Sequence, residues 1–352
     1  MSKFYSLPIL SIRSLTKDSV CIKFDISKLD SDIFNFISGQ YITIDHKINN
    51  DNVRRAYSIS SSPEEGLEVG VKLVEGGKMS TFLNKQLKEG EVLQVMPPVG
   101  SFTLQVNDSN SNSYVGICSG SGITPILSMI KNVLKFESNS SFSLIYGNKT
   151  IESTMFSEEL KLLVEQFDDR FKIFNLYSRK SIDSALDGRI DDVNLNKIFD
   201  LSKNMSTSDS YFICGPGDMI ETVSSFLESK EIDKNKINFE LFSSPDDKDE
   251  KEIVLDSNLV SNVTISVDGD DFDVELAQNG DSILDAAIKA GADAPYSCKG
   301  GVCSVCKAKV MQGSATMDIN YSLSEEDVEE GYILTCQAHP SSENLVIDYD
   351  EI

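Results

Sequence analysis

Cys298, Cys303, Cys306 and Cys336 constrain this chain more than any other residues in it. Their spacing is C-x4-C-x2-C followed at a distance by a fourth cysteine, the plant-type arrangement for a [2Fe–2S] cluster. The loop reads Pro295-Tyr-Ser-Cys-Lys-Gly-Gly-Val-Cys-Ser-Val-Cys306, and the remote cysteine lies in Ile333-Leu-Thr-Cys-Gln337. Three thiolates on one short loop can wrap a flat two-iron rhomb, and the fold must bring in the fourth. Gly300 and Gly301 lack a Cβ, so the backbone can pass close to the cluster and aim N–H groups at its sulfurs. Zinc is the rival, but zinc sites usually take paired short spacings, and the second pair is missing. A disulfide framework is disfavoured by an odd count of seven cysteines and by the lack of a secretory leader.

The 352 residues suffice for two or three domains. No apolar run approaches the ~18 residues of a membrane span. Met1-Ser-Lys-Phe-Tyr-Ser6 offers neither an apolar core nor a cleavage site, which points to a cytoplasmic location. A formal net charge of −24 has the wrong sign for binding nucleic acid. It serves solvation, adaptation to salt, or steering toward a basic partner. His46 and His339 are isolated and are the only histidines, so histidine-based metal or nucleophilic chemistry has little material. Cys21 and Cys118 read as structural.

The chain divides by texture into three parts. Residues 1–106 hold short β-like runs separated by turns (Val20–Phe24, Tyr41–Ile44, Leu67–Val74, Val92–Val95), which predicts an antiparallel β-barrel. Over 112–242, strands (Tyr114–Ile117, Phe142–Ile145, Phe171–Leu176, Tyr211–Cys214) alternate with helices starting near Pro125, Ser157 and Met219. That alternation predicts a doubly wound α/β domain. Residues 243–262 form a charged, Pro-containing stretch that reads as an acidic linker. Residues 263–352 open with alternating Val263, Ile265 and Val267, turn at Asp268-Gly269, and continue through Phe272–Leu276 and a helix from Ser282 to the cysteine loop. This predicts a β-grasp [2Fe–2S] domain.

Two motifs in the barrel suit a flavin. In Arg54-Arg-Ala-Tyr-Ser58, an extended strand puts Arg55 and Tyr57 on one side and Ser58 on the other. A guanidinium fits a phosphate, an aromatic ring stacks on an isoalloxazine, and a hydroxyl bonds a ring nitrogen. Gly76-Gly-Lys-Met-Ser80 is a glycine turn expected to enter a helix at Ser80, where N–H groups and a positive helix end can seat an anion. A plain Arg/Tyr edge strand and a plain capped turn are the alternatives for each taken alone. In the α/β part, Cys118-Ser-Gly-Ser-Gly-Ile-Thr-Pro125 joins a strand to a helix, with Gly120 and Gly122 open to a pyrophosphate and Pro125 suited to the first helical turn. It is not the GxGxxG of ordinary dehydrogenases. Ser178 and Arg179, with Lys180 beside them, suit the 2′-phosphate of NADPH, where an NADH site usually offers an acid; a solvated basic loop is the other reading. Cys214-Gly-Pro216 closes a strand at the sheet edge where such folds bind ligands, although a buried filler is the commoner role for such a cysteine.

Taken together, these residues resemble the ferredoxin–NADP reductase superfamily, in the branch with a plant-type ferredoxin fused at the C-terminus. Arg55-x-Tyr57-Ser58 resembles its flavin signature, and Gly77-Lys78-Met79-Ser80 its flavin-phosphate turn. Gly120-Ser121-Gly122-x-Thr124-Pro125 resembles its nicotinamide loop, and Cys214-Gly215-Pro216 its nicotinamide-end motif. Further stretches look most like the reductase subunits of ring-1,2-phenylacetyl-CoA epoxidases, which act in phenylacetate catabolism: Leu144–Asn148, Met155–Leu160, Gly188–Ile190, Ile237–Phe242, Lys299–Cys303, Met317–Tyr321 and Ile347–Asp350.

That resemblance implies FAD, a [2Fe–2S] cluster and NADPH, with NADH as the alternative donor, and a diiron oxygenase or related one-electron acceptor protein. It further implies Tyr57 on one flavin face, Ser58 near N5, Arg55 on the pyrophosphate, Glu240 and Phe242 near the other face, and the nicotinamide beside Cys214. The alternatives are a reductase for another oxygenase, hydroxylase or desaturase (alkane, aromatic ring or lipid), a non-catalytic electron carrier, and a redox sensor.

Overall fold

The computed structural model describes residues 3–29, 32–179, 186–243 and 260–351. Lys180 and residues 244–259 of the expected linker lie outside them. Packing separates a larger unit, which holds nearly all of the first two segments, from a smaller one, which holds the C-terminal segment.

In the first segment, β1 (Tyr5–Thr16), β2 (Ser19–Phe24), β3 (Tyr41–Ile48), β4 (Asp51–Ser58), β5 (Glu68–Lys72) and β6 (Val92–Val95) form one sheet in the order β4-β3-β6-β1-β2-β5. A bridge from Ile59, just past β4, to Val69 of β5 joins the two ends of that order and closes the barrel. Sequence patterning did not reveal β1, because Pro8 interrupts it. Tyr5–Pro8 pair with β6 and Ile9–Thr16 with β2, so the proline stands where the strand changes partners, a position strand prolines tolerate. Leu7, Ile22, Ile42, Ile44, Leu67 and Val69 fill the interior, and α1 (Lys78–Lys85) adds Met79 and Leu83.

The parallel sheet follows. Its chain order is β7 (Ser113–Ser119), α2 (Ile123–Phe136), β8 (Ser141–Asn148), α3 (Ser157–Gln166), β9 (Phe171–Tyr177), β10 (Leu186–Asp187), α4 (Asp192–Leu201), β11 (Ser210–Pro216), α5 (Gly217–Ser229) and β12 (Ile237–Ser243). The spatial order β10-β9-β8-β7-β11-β12 reverses between β7 and β11, which opens a ligand crevice at the carboxyl ends of those strands. Residues Ile123–Leu134 of α2 are buried without a break, because the sheet covers one side of the helix and the barrel meets the other. Ser128 Oγ donates to Ser61 O at 2.6 Å, and Gly70 of β5 is so close that a Cβ there would lie 2.7 Å from Thr124 Cγ2. Lys131 is buried between Glu65 (3.0 Å) and Glu159. Burial works to lower its pKa, and the two carboxylates more than offset that, so the ammonium stays charged.

The smaller unit comprises β13 (Val260–Val267), β14 (Asp270–Ala277), α6 (Ile283–Lys289), β15 (Lys307–Gln312), β16 (Ala315–Met317), α7 (Glu325–Glu329), β17 (Tyr332–Leu334), β18 (Ala338–Pro340) and β19 (Asn344–Asp348). Five strands pair as β14-β13-β19-β15-β17, with β13 parallel to β19, and β16 pairs with β18. Asp268 (φ 56°) and Gly269 (φ 79°) both take left-handed backbone, the two-residue turn that matches hairpin twist. Ser282 caps α6 by accepting from Asp285 N at 3.2 Å, and Ile283, Leu284 and Ala287 pack onto the sheet. Among the described residues no helix is long and apolar enough to cross a membrane.

Candidate functional site

Backbone turns shape the cysteine loop. Lys299 (φ 54°), Gly301 (φ 71°) and Ser304 (φ 53°) all take left-handed conformations, which curls the chain back over its own sulfurs. Gly300 N donates to Cys298 Sγ at 3.3 Å, and Cys298 N donates to Cys303 Sγ at 3.4 Å. The remote cysteine is tied in by its neighbours. Thr335 Oγ1 and Thr335 N donate to Cys306 O at 2.9 and 3.1 Å, Tyr349 bonds Thr335 at 2.6 Å, and Gln337 Nε2 donates to Lys299 O at 2.9 Å.

Among the described residues no three His, Cys, Asp or Glu side chains converge on one metal ion. The thiols are grouped two and two instead, Cys298 with Cys303 and Cys306 with Cys336. That grouping suits two irons, each needing two protein sulfurs. The Cys303 thiol, and then the N–H groups of Gly300, Val302 and Cys303, hold the Cys298 thiol well below its ordinary value. Cys336 is lowered in the same way by the Cys306 thiol, with help from Gly301 N–H, while Cys303 and Cys306 are raised by their partners and by burial. Paired sulfurs with backbone donors fit a [2Fe–2S] cluster, and these four residues would hold it. The neighbouring His339 is not isolated: its Nε2 lies 3.1 Å from Asp318 Oδ2. His46 stacks on Phe82 with centroids 4.2 Å apart.

On the barrel, β4 presents Arg55 exposed, Tyr57 half-buried and Ser58 buried. The glycine turn differs from expectation at one point: the helix begins at Lys78 with Gly77 as its cap, two residues before Ser80. Ser80 Oγ accepts from Val74 N at 3.1 Å and so closes the turn. A Cβ on Gly77 would lie 2.6 Å from Ser80 Oγ, so a side chain there would displace the serine hydroxyl. Met79 faces the core, and Lys78 pairs with Asp51 at the surface. An exposed guanidinium, a half-buried ring and free N–H groups at the start of α1 fit a flavin and its phosphates.

At the crevice, Gly120 (φ 56°) opens the loop between β7 and α2, and its carbonyl accepts from Tyr146 Oη at 2.9 Å. Thr124 Oγ1 donates to Ser121 O at 3.0 Å. Gly122 is glycine for a reason the sequence did not reveal: a Cβ would lie 2.1 Å from Cys214 O. The loop is therefore pressed against the end of β11. Cys214 itself is fully buried, opposite Cys118 on one side and Glu240 on the other, and desolvation pushes its thiol well up. Gly215 is buried, Pro216 is exposed, and Phe242 is partly exposed at the end of β12.

Ser58 Oγ donates to Glu240 Oε2 at 3.2 Å, joining the barrel strand to β12. Glu240 keeps some exposure as a residue, but its carboxyl is packed deeply enough that desolvation pushes it up to about 8, against the pull of Ser58. Ser178 and Arg179 are exposed just past β9, held by Asn148 O and Lys149 O.

Sequence reasoning missed Lys72. It ends β5, its ammonium would lie 3.6 Å from a Cβ on Gly120, and burial lowers its pKa. Among the described residues its ammonium has no hydrogen-bond or salt-bridge partner, although its backbone pairs with Ser19 of β2. A cation from the barrel thus hangs over the Gly120 loop of the α/β domain. In sequence it was one lysine after a valine on an alternating strand, indistinguishable from a solvated one.

Residues 6–104 match the family described as oxidoreductase FAD-binding domain, 117–225 the oxidoreductase NAD-binding domain, and 265–341 the 2Fe-2S iron-sulfur cluster binding domain. The fold and site together define a modular flavin- and pyridine-nucleotide-dependent reductase with a [2Fe–2S] domain. The chain is 36% identical over 99% of both lengths to a 1,2-phenylacetyl-CoA epoxidase component of Escherichia coli K12, and it belongs to that family. The ferredoxin reductase component of 3-ketosteroid-9-alpha-monooxygenase from Rhodococcus rhodochrous is 29% identical over 99% of this chain and 97% of its own. Among solved structures, phthalate dioxygenase reductase shares the architecture, with a TM-score of 0.61 and 24% identity over 98% of each chain.

Proposed function

We propose that this protein takes reducing equivalents from NADPH in the cytoplasm and delivers them to a diiron oxygenase that acts on phenylacetyl-CoA. The observation that carries the reading is the Ser58–Glu240 hydrogen bond of 3.2 Å, which brings the flavin strand of the barrel against the strand beside Cys214. When bound, FAD accepts a hydride from the nicotinamide and the cluster carries electrons onward one at a time.

The chain's own residues orient and tune. Arg55 and the N–H groups at the start of α1 would hold the flavin phosphates, and Tyr57 and Phe242 would pack against its ring. Lys72 and the Gly120–Gly122 loop hold the dinucleotide diphosphate, with Ser121 and Thr124 shaping the loop. Cys214, Gly215 and Pro216 form a compact floor for the nicotinamide, and the Cys214 thiol stays neutral there. Glu240, raised to about 8, keeps its proton at neutral pH and presents an uncharged partner to Ser58. Ser178 and Arg179 recognise the 2′-phosphate. Cys298, Cys303, Cys306 and Cys336 hold the cluster. The acceptor assignment draws on the similarity to the Escherichia coli epoxidase component, and the ketosteroid monooxygenase reductase supplies the second reading, another oxygenase as acceptor.

Anaerobic stopped-flow of the holoprotein with NADPH and NADH in parallel, following flavin and cluster absorbance, tests the donor. Faster reduction by NADPH, lost in Arg179→Ala, is expected; equal rates overturn the 2′-phosphate reading. Coupled turnover of phenylacetyl-CoA by a purified epoxidase oxygenase component tests the acceptor, and failure there with success on another oxygenase favours the second reading.

A further inference from the structure

We infer that Tyr349 is a positioning residue for electron transfer, its hydroxyl acting through Thr335 to fix the Cys306–Cys336 pair and to set how readily the cluster takes an electron. The inference rests on the four cysteines holding a [2Fe–2S] cluster and is indifferent to the identity of the donor and of the acceptor. Tyr349 follows directly on β19, and both it and Thr335 are buried. Tyr349 Oη donates to Thr335 Oγ1 at 2.6 Å, and Thr335 Oγ1 donates in turn to Cys306 O at 2.9 Å. Thr335 N donates to the same carbonyl at 3.1 Å. Because Thr335 immediately precedes Cys336, one residue ties the two cysteines of this pair together, and one phenol stands behind it.

The post and the link are both anchored away from the cysteine loop. Tyr349 N donates to Ser266 O at 3.0 Å, and the carboxylate of the next residue, Asp350, accepts from Asp268 N and Gly269 N at 3.0 and 2.9 Å. Thr335 O accepts from Leu284 N at 3.0 Å, in the first turn of α6. A phenylalanine would fill the same apolar space without burying a hydroxyl, so the hydroxyl is there for its partner. Burial is the main influence raising the phenol's pKa; Thr335 opposes it, and the charges of Cys306 and Cys336 add to it. The group therefore stays a donor and lies within electrostatic reach of both thiols. Linked hydrogen bonds polarise one another, and partners beyond the ligands orient them and tune the metal. Hydrogen bonding and burial around the ligands set cluster potentials. A reduced cluster carries one more negative charge, so a chain of donors ending on Cys306 favours reduction.

The test is a potentiometric titration of the holoprotein, followed by visible absorbance and by electron paramagnetic resonance of the reduced cluster, with iron content, FAD content and thermal melts alongside. Tyr349→Phe keeps its iron and FAD and changes the resonance spectrum. Its equilibrium constant for cluster reduction falls about threefold, which for a one-electron couple is a shift of about 28 mV toward more negative potential. Thr335→Val shifts the potential the same way, and the double variant shifts it no further than Thr335→Val alone. Thr335→Ser, which keeps the hydroxyl, retains the unmodified potential. Replacing Tyr349 by 3-fluorotyrosine, a stronger donor of nearly the same shape, moves the potential the other way and decides the matter even where Tyr349→Phe folds poorly. An unchanged potential and spectrum in both replacements of Tyr349 overturn the inference whatever happens to Tm, and mark an ordinary core tyrosine. Additive shifts in the double variant overturn the route through Thr335. A failure of the cluster reading shows separately, as an unmodified protein without iron or cluster absorbance.

Discussion

Cys21 of the barrel and Cys306 of the cluster loop are each 3% exposed, so burial does not separate them. Cys21 sits beside Glu68, and burial followed by that carboxylate pushes its thiol up to about 12. Cys118 and Cys214 are raised by desolvation, with no backbone N–H among the causes. In the loop, each buried thiol has a second thiol against it, and one member of each pair is lowered by its partner and by backbone N–H groups. A cysteine becomes a ligand through paired sulfurs and donors that favour the thiolate; a cysteine packed among apolar groups stays a small hydrophobe.

The largest test of that contrast is loss of a ligand. Cys336→Ser or Cys298→Ala is expected to abolish cluster iron and visible absorbance, whereas Cys118→Ala leaves both intact. Iron analysis and absorbance spectra of the purified variants decide it, and a full cluster in Cys336→Ser would sink the assignment. Next come the glycines beside each kind of cysteine. Gly122→Ala places a Cβ 2.1 Å from Cys214 O, a backbone atom that cannot swing away. The expected cost is about 3 kcal/mol or more in urea melts, at the upper end for overpacking. Gly301→Ala meets Ile319 O at 3.1 Å in left-handed backbone and is expected to lower cluster occupancy while leaving FAD content unchanged.

A smaller effect concerns Glu240, the cross-strand partner of Cys214. Its carboxyl is raised from 4.5 to about 8, so across that window the native protein binds the proton and the unfolded chain releases it. Stability from this residue therefore falls as pH rises from about 4.5 to about 8, and Glu240→Gln removes the slope. Melts at pH 5 and pH 8.5 should show the two proteins alike at the lower pH and the Gln variant more stable at the higher. Identical pH profiles would place the carboxyl in solvent. The smallest expectation is Cys214→Ala, at about 1 kcal/mol or less. Reduction by NADPH that stays within a few fold of the unmodified protein is expected of a neutral floor, and a hundredfold loss would mean that the thiol itself takes part.

Much of this was legible before any fold was known. The cysteine loop is a spacing, the Asp268-Gly269 hairpin and the Ser282 cap are local chemistry, and the switch from strand runs to alternating strands and helices is a matter of period. Each depends on residues close in the chain, where geometry follows from covalent reach. β1 escaped because Pro8 breaks its pattern at the point where the strand changes partners. The start of α1 was misplaced because a serine within a first helical turn looks like one that caps it.

By itself the sequence determined the cysteine spacing, the three textures and the glycine turns, since short-range spacing decides what a loop can wrap. Only the tertiary structure decided that Gly122 is glycine because of Cys214 O and that Lys72 hangs over Gly120. The Ser58–Glu240 bond joins residues 182 positions apart. Such pairs are set by how the barrel packs on the parallel sheet, and burial, the source of the Glu240 and Cys214 shifts, exists only after that packing has excluded water.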